Sequence, residues 1–341
     1  MDSSNQEKII DPNNKIVSVV TGANGFVGSH LVDYLLEKGH HVKCIIRKSS
    51  NLQWLEGKNV ELCPCGLNDV DALSAVFENV NYVFHIAGVV KALRPKGFFR
   101  GNVETTKNVL EAALAAKNLK KVLITSSMAA TGPATMGGAV DETSPLNPME
   151  PYGYSKVEQE KVALSYKDRL PVVIVRPPGV YGERDTEILA FFKMMSKGWC
   201  VRMGLDNKEL SLVHVRDLVQ GMYLAATEPN NNGEIYFLGS LECYNWKQIG
   251  AVTAKIMQRK TKALPIPHFL LFTVGAFGSL MEKWFKSDVD LNMDRARRIT
   301  RPSWYCSSEK AVKELGYKQT LSLEEGIKRT LDWYKEKGWL K

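Results

Sequence analysis

This chain lacks the marks of a membrane-spanning, secreted, metal-binding or nucleic-acid-binding protein. Its most apolar stretch is Leu264 to Phe285, and the uninterrupted part, Phe269 to Met281, falls short of the roughly 20 apolar residues that a spanning helix needs. The polar segment Met1 to Asn14 has no apolar run of a signal peptide and reads as a loose leader. The six cysteines, Cys44, Cys63, Cys65, Cys200, Cys243 and Cys306, show no ligand spacing. Cys63-Pro64-Cys65 is too short for C-x-x-C chemistry, and no histidines gather near it. Thiols of a reducing compartment are therefore expected, with no metal and a cytoplasmic location. The formal net charge is +8, but no basic run is interleaved with aromatics, so nucleic acid is a poor partner. A basic surface suits an anionic cofactor or an acidic membrane surface instead. There is no internal repeat and no low-complexity segment.

What is present is an alternation. The 341 residues, 44% hydrophobic and 24% charged, suit a globular α/β domain with a second lobe. Apolar runs at 16–20, 41–46, 60–63, 82–86, 121–125 and 172–175 read as buried parallel strands. Helical patterns at 29–38, 70–77, 102–116 and 151–166 fall between them, as in a doubly wound sheet. Beyond Arg176 the alternation loosens. Short strands such as Glu234 to Leu238 and helices such as Trp246 to Gln258 suggest a smaller lobe. The division expected is a leader over 1–14, a nucleotide-binding domain over 15–176, and an interleaved, mainly substrate-binding lobe over 177–341.

The segment Thr21-Gly22-Ala23-Asn24-Gly25-Phe26-Val27-Gly28 joins the first strand to the first helix. Gly22 permits a tight turn, Gly25 lets the backbone approach a pyrophosphate, and Gly28 lets the helix pack on the strand. The helix N-terminus, with Phe26 and Val27, then offers free N–H groups and a positive dipole end. The second strand ends in Arg47-Lys48. An acidic residue there would bind a free ribose hydroxyl, whereas a cation suits a 2′-phosphate, so NADP is expected, with NAD as the alternative.

Tyr152 and Lys156 stand four apart at the start of a helix and share a face. A tyrosine is a poor base near neutrality, but an adjacent ammonium stabilises the phenolate. The pair can then exchange a proton with an alcohol or carbonyl oxygen. Ser126 and Ser127 follow the fifth strand, at the carboxyl edge where such sheets bind ligands.

In order and spacing these segments resemble the extended short-chain dehydrogenase/reductases. The resemblance rests on Thr21-Gly22-x-x-Gly25-x-x-Gly28, His85-Ile86-Ala87-Gly88, Ser126-Ser127, Tyr152-x-x-x-Lys156 and Arg176-Pro177-Pro178-Gly179-Val180-Tyr181-Gly182. It implies a Rossmann-type doubly wound parallel sheet with a smaller C-terminal α/β substrate lobe and a small-molecule substrate; a homodimer is an expectation that the sequence leaves open. It also implies roles: Tyr152 as acid/base, Lys156 as its partner and a ribose ligand, and Ser127 as donor to the substrate oxygen. Ala87 and Gly88 would pass the cofactor ribose and phosphates, and Pro177 and Val180 would lie near the nicotinamide.

Two departures bear on specificity. Gly66 stands where such proteins often carry an adenine-binding Asp, which leaves the backbone of Leu67 to meet the base. Gly179 stands where nucleotide-sugar members place an Asn on the diphosphate, although Arg216 and Arg297 or Arg298 offer other cations. Met128, after Ser127, adds apolar surface where a dehydratase wants an acid. The expectation is an NADP-preferring oxidoreductase that interconverts a secondary alcohol and a ketone on a steroid-like or flavonoid-like substrate. A nucleotide-sugar 4-epimerase with tightly held NAD is the alternative, and a non-enzymatic cofactor sensor a minor one. Leu264 to Phe285 reads first as a buried helix of the small lobe. A wall of an apolar pocket, or a peripheral membrane contact helped by Lys283 and Lys286, are the other readings.

Overall fold

A computed structural model describes residues 15–204, 207–285 and 292–340. The expected leader over 1–14 lies outside them. Seven parallel strands form the central sheet: β1 Val17–Thr21, β2 His41–Ile45, β3 Val60–Cys63, β4 Tyr82–His85, β5 Lys121–Thr125, β6 Val172–Arg176 and β7 Ile235–Phe237. Their order is β7-β6-β5-β4-β1-β2-β3. In the centre Val20 stands opposite Cys44 on one side and Phe84 on the other. The strand order reverses beside β1, so a crevice opens at its carboxyl end, where open α/β sheets take their ligands.

Both faces of the sheet are covered. On one, helix α1 (Phe26–Glu37) buries Leu31, Val32 and Leu35 completely, worth about 1.5–3 kcal/mol each. On the other, α2 (Val70–Phe77) and α3 (Thr105–Ala113) pack Leu73, Phe77, Val109 and Leu110 against Val19, Val83 and Val122. The helix expected from Asn102 starts earlier, at Pro95, and passes through a π-helical segment at Arg100–Glu104 before α3. Apolar periodicity misses this start because Pro95–Phe99 buries none of its residues. Helix α4 (Pro151–Leu164) precedes β6.

The segment after β6 returns to this domain before leaving it. Helix α5 (Val215–Thr227) packs Leu218, Met222 and Ala225 into the same core as α1. Strand β7, read from sequence as part of a smaller lobe, is the edge of the main sheet and pairs with β6. Short strands and a further core of Tyr181, Phe192, Ile249, Ile327, Leu331 and Tyr334 make up the rest. This part is clamped to α1: Arg184 binds Asp33 at 2.7 Å and His30 hydrogen-bonds the Glu183 carbonyl at 2.8 Å.

The apolar stretch corrects one expectation. Helix α6 (His268–Phe285) is not a buried helix, for Phe269, Phe277 and Trp284 are among the most exposed large side chains of the molecule. It packs along helix α7 (Met293–Ile299) through a narrow inner strip that includes Leu271 and Gly275. Lys286 falls outside the described residues.

Candidate functional site

The glycine turn is built to hold the backbone close. Gly22 has φ +68°, and a Cβ on it would stand 2.9 Å from the Ala87 backbone. A Cβ on Gly28 would stand 2.1 Å from the Gly22 carbonyl. Neither site admits a side chain. Gly25, Phe26 and Val27 complete the turn, with Gly25 at the N-cap of α1 and Phe26 and Val27 opening it without any side-chain cap. The first amides of α1 therefore remain available to an anion.

Beside the turn lies a cavity of 780 Å³. Gly22, Arg47, Lys48, Leu67, Ala87 and Gly88 line it, as expected from sequence, together with Asn24, Ser50 and Arg100. Arg47 and Lys48 are exposed and make no ion pair among the described residues. Gly66 adds no side chain to the lining, and the Leu67 carbonyl accepts a hydrogen bond from Asn108 at 2.9 Å. The cavity's volume, glycine floor and basic rim fit a dinucleotide. Pro177 is buried and Val180 packs into the main core, and neither lines this cavity or the one beside Tyr152. Their neighbours Pro178 and Gly179 do.

A second cavity, of 430 Å³, adjoins Tyr152. Its walls are Ser127, Met128, Ala129, Tyr152, Pro178, Gly179, Leu210, Leu212, Trp246, Ile299 and Trp304, with Lys208 and Arg298 as its cations. Among the described residues, none of Leu264 to Phe285 lines this cavity. Ser127 caps the turn Met128–Ala130 and accepts from the Ala129 amide at 3.1 Å. Gly153 brings α4 against this turn: a Cβ there would lie 2.6 Å from the Ala129 carbonyl. Tyr152 is thereby held beside Ser127, while Tyr154 turns out to solvent.

Burial raises the Tyr152 phenol above its ordinary range, while a hydrogen bond with Ser127 and the charge of Arg298 act to lower it. Arg298 also donates to Glu150 at 2.7 Å, just ahead of the helix. Lys156 is 5.8 Å from the Tyr152 ring centre. Its ammonium donates to the Thr125 carbonyl at 2.9 Å and to Gln159 at 2.8 Å. Burial lowers its pKa from 10.5 to about 7, with Glu160 acting the other way. So the cation expected to depress the tyrosine is itself destabilised by burial, and the charges acting on the phenol are Arg298, which lowers it, and Glu150, which raises it.

Behind Lys156 runs a buried chain of hydrogen bonds that sequence reading missed. Gln159 donates to the Thr106 hydroxyl at 2.8 Å, which faces His85 Nε2 at 2.9 Å; His85 Nδ1 meets the Thr21 hydroxyl at 2.8 Å. Thr106 spends its one proton on the Asn102 carbonyl at 2.6 Å, so His85 Nε2 must be the donor. Burial holds His85 neutral, with a pKa of about 3. Nδ1 then accepts, and Thr21 donates to it. Thr21 in turn accepts from the Ala87 amide at 3.1 Å. The chain ties the glycine strand, Ala87 and Lys156 together. A histidine inside an apolar strand was the available sequence signal. Asn102, buried and bound to both polar atoms of Val89, gave none.

Of the arginines considered for a diphosphate, Arg298 reaches the Tyr152 cavity. Arg297 lies 3.5 Å from Asp294. Arg216 lines a separate cavity with His30, Glu183 and Arg329.

The chain matches relatives along nearly its whole length. It is 26% identical to the ceramide reductase of Caulobacter vibrioides over 331 residues, covering 95% of this chain and 96% of that one. It is 26% identical to human 3 beta-hydroxysteroid dehydrogenase type 7, covering 94% and 95%. The fold superposes on the UDP-glucuronic acid 4-epimerase of Bacillus cereus, solved with UDP-glucuronic acid and NAD, with a TM-score of 0.75 at 24% identity, over 94% of this chain and 99% of that one. Residues 18–239 match the model of the NAD dependent epimerase/dehydratase family, and the chain belongs to that family as an enzyme of the extended short-chain dehydrogenase/reductase type.

Proposed function

We propose that this enzyme interconverts a secondary alcohol and a ketone on a largely apolar substrate, with NADP(H) preferred. The carrying observation is the 430 Å³ cavity, in which Ser127 and Tyr152 are flanked by Met128, Leu210, Leu212, Trp246, Ile299 and Trp304. A hydrophobic ring system gains about 25 cal/mol per Å² buried against such walls, before ordering costs. Relatives named for a ceramide and for a 3 beta-hydroxysteroid support the same substrate class. Arg47 and Lys48 on the rim of the larger cavity support a 2′-phosphate.

The residues divide the work. Ser127 and Tyr152 hold the substrate oxygen between two hydroxyls. In reduction Tyr152 donates its phenolic proton to that oxygen as the bond to it becomes single, and in oxidation it takes the proton back. A nicotinamide cofactor held by the glycine turn, Arg47 and Lys48 would supply or accept the hydride. Lys156 spends two N–H groups on Thr125 and Gln159 and keeps a third for a ribose hydroxyl. An anionic cofactor beside it raises its proton affinity again, and a charged Lys156 then favours the phenolate.

A second reading, a nucleotide-sugar 4-epimerase, draws on Arg298 and Lys208 in the cavity wall and on the fold shared with the UDP-glucuronic acid epimerase. Thermal shift separates the two. With NADP(H) present, steroid-like and aromatic carbonyl compounds should raise the melting temperature and UDP-sugars should not. A shift with a UDP-sugar and none with the apolar panel overturns the proposal.

A further inference from the structure

Helix α6 is apolar on both of its faces. Its inner strip packs on α7, with a Cβ on Gly275 only 3.0 Å from the Ala296 methyl. Its outer side meets water: Phe269 is 71% exposed, Phe277 63% and Trp284 73%, and Leu270, Val274 and Leu280 are exposed as well. At helical spacing these six residues fall within a sector of about 140°. No Asp, Glu, Lys or Arg stands between His268 and Met281. An ordinary surface helix carries charge on that side, and a contiguous apolar patch of this kind marks an interaction site.

The charge around it selects the partner. Residues 255–301 hold ten Lys and Arg against four Asp and Glu, while the rest of the chain holds 35 against 33. Most of the +8 of this protein is therefore concentrated in the segment that contains the apolar helix. Arg259, Lys260 and Lys262 are exposed and make no ion pair among the described residues. They stand at the start of the strand Lys262–Ile266, which leads into α6 and leaves its own Leu264 exposed. A second copy docked about a twofold axis would set this basic segment against itself. An anionic lipid surface would neutralise it and take up the aromatic side chains.

We propose that the outer face of α6 and its basic flank dock the enzyme on an anionic lipid bilayer, with the helix lying in the headgroup layer. No helix among the described residues is long and apolar enough to cross a membrane. The neighbouring helix α7 contributes Arg298 and Ile299 to the Tyr152 cavity, so the docked face lies one helix away from that cavity. A substrate dissolved in the bilayer then has a short path to the site. This last consequence rests on the apolar-substrate reading, whereas the docking does not.

The test is flotation of the full chain with phosphatidylcholine vesicles, with and without phosphatidylglycerol, in the absence of substrate and cofactor. The wild type should float with the anionic vesicles and be released by high salt. F269E/F277E should weaken that binding about tenfold or more, and K262E independently about fivefold, both with unchanged melting temperature. Equal flotation on both vesicle types, or flotation unaffected by F269E/F277E, overturns the proposal. So does a wild-type dimer without flotation that F269E/F277E converts to monomer, which makes the patch a self-interface. Docking can fail while the carbonyl panel still binds, and the reverse, so the two readings stand or fall separately.

Discussion

Arg176 and Glu160 are joined by two hydrogen bonds, Nε to Oε1 at 2.8 Å and Nη2 to Oε2 at 2.7 Å, and both side chains are only 3% exposed. The pair fastens α4, which carries Tyr152 and Lys156, to the end of β6. Ser126 donates to the same carboxylate, so β5, which leads into Ser127, shares the anchor.

Removing one partner of a buried pair leaves the other charge without compensation, which costs about 3–5 kcal/mol. Arg176→Met should lose that much in urea unfolding, and Arg176→Met with Glu160→Leu should recover most of it. A loss below about 1 kcal/mol in the single variant, the scale of an exposed ion pair, would mean that the pair is not an anchor.

Lys156 gives stability a pH dependence whose sign follows from its lowered pKa. Between about 7 and 10.5 the unfolded chain binds this proton and the folded one does not. Without cofactor, its contribution to stability therefore rises with pH across that window and is flat below it. The rise amounts to about 2 kcal/mol from pH 7 to pH 9. Lys156→Met should flatten the wild-type slope by that amount in urea melts at the two pH values. An unchanged slope would show that Lys156 keeps its proton in the folded state.

The 2′-phosphate assignment is tested by Arg47→Asp, which reverses a charge on the cavity rim. NADPH affinity should fall at least about tenfold more than NADH affinity in direct titration, since a like charge replaces a cation beside the phosphate. Equal losses for both cofactors would place the phosphate elsewhere.

The parts of this fold that were legible in the sequence are those where one physical rule acts alone. The strands β1, β4, β5 and β6 are buried on both faces and read as apolar runs, and the glycine turn announces itself because no side chain fits at Gly22 or Gly28. The substrate cavity was only half legible. Ser127, Met128, Tyr152 and Gly179 could be placed from motifs, but Trp246, Ile299 and Trp304 come from segments more than 60 residues downstream of Gly179, and no local pattern announces that convergence. Arg298 was one of several basic residues until the packing of α7 put it beside Glu150. Helix α6 misled for a related reason. Apolar content argues for burial, and the exposed side of this helix is as apolar as its buried side.

In the proposed reaction Tyr152 donates a proton while the cofactor is used up in the same turnover. The most direct measurement of this is net NADPH oxidation with an apolar ketone that stabilises the protein, for wild type and Tyr152→Phe. The wild type should consume NADPH stoichiometrically. Turnover of the variant should fall about 10²–10⁴-fold, with nearly unchanged cofactor affinity. Turnover of the variant within a few-fold of wild type, or interconversion of a UDP-sugar with no net change in the cofactor, would contradict it.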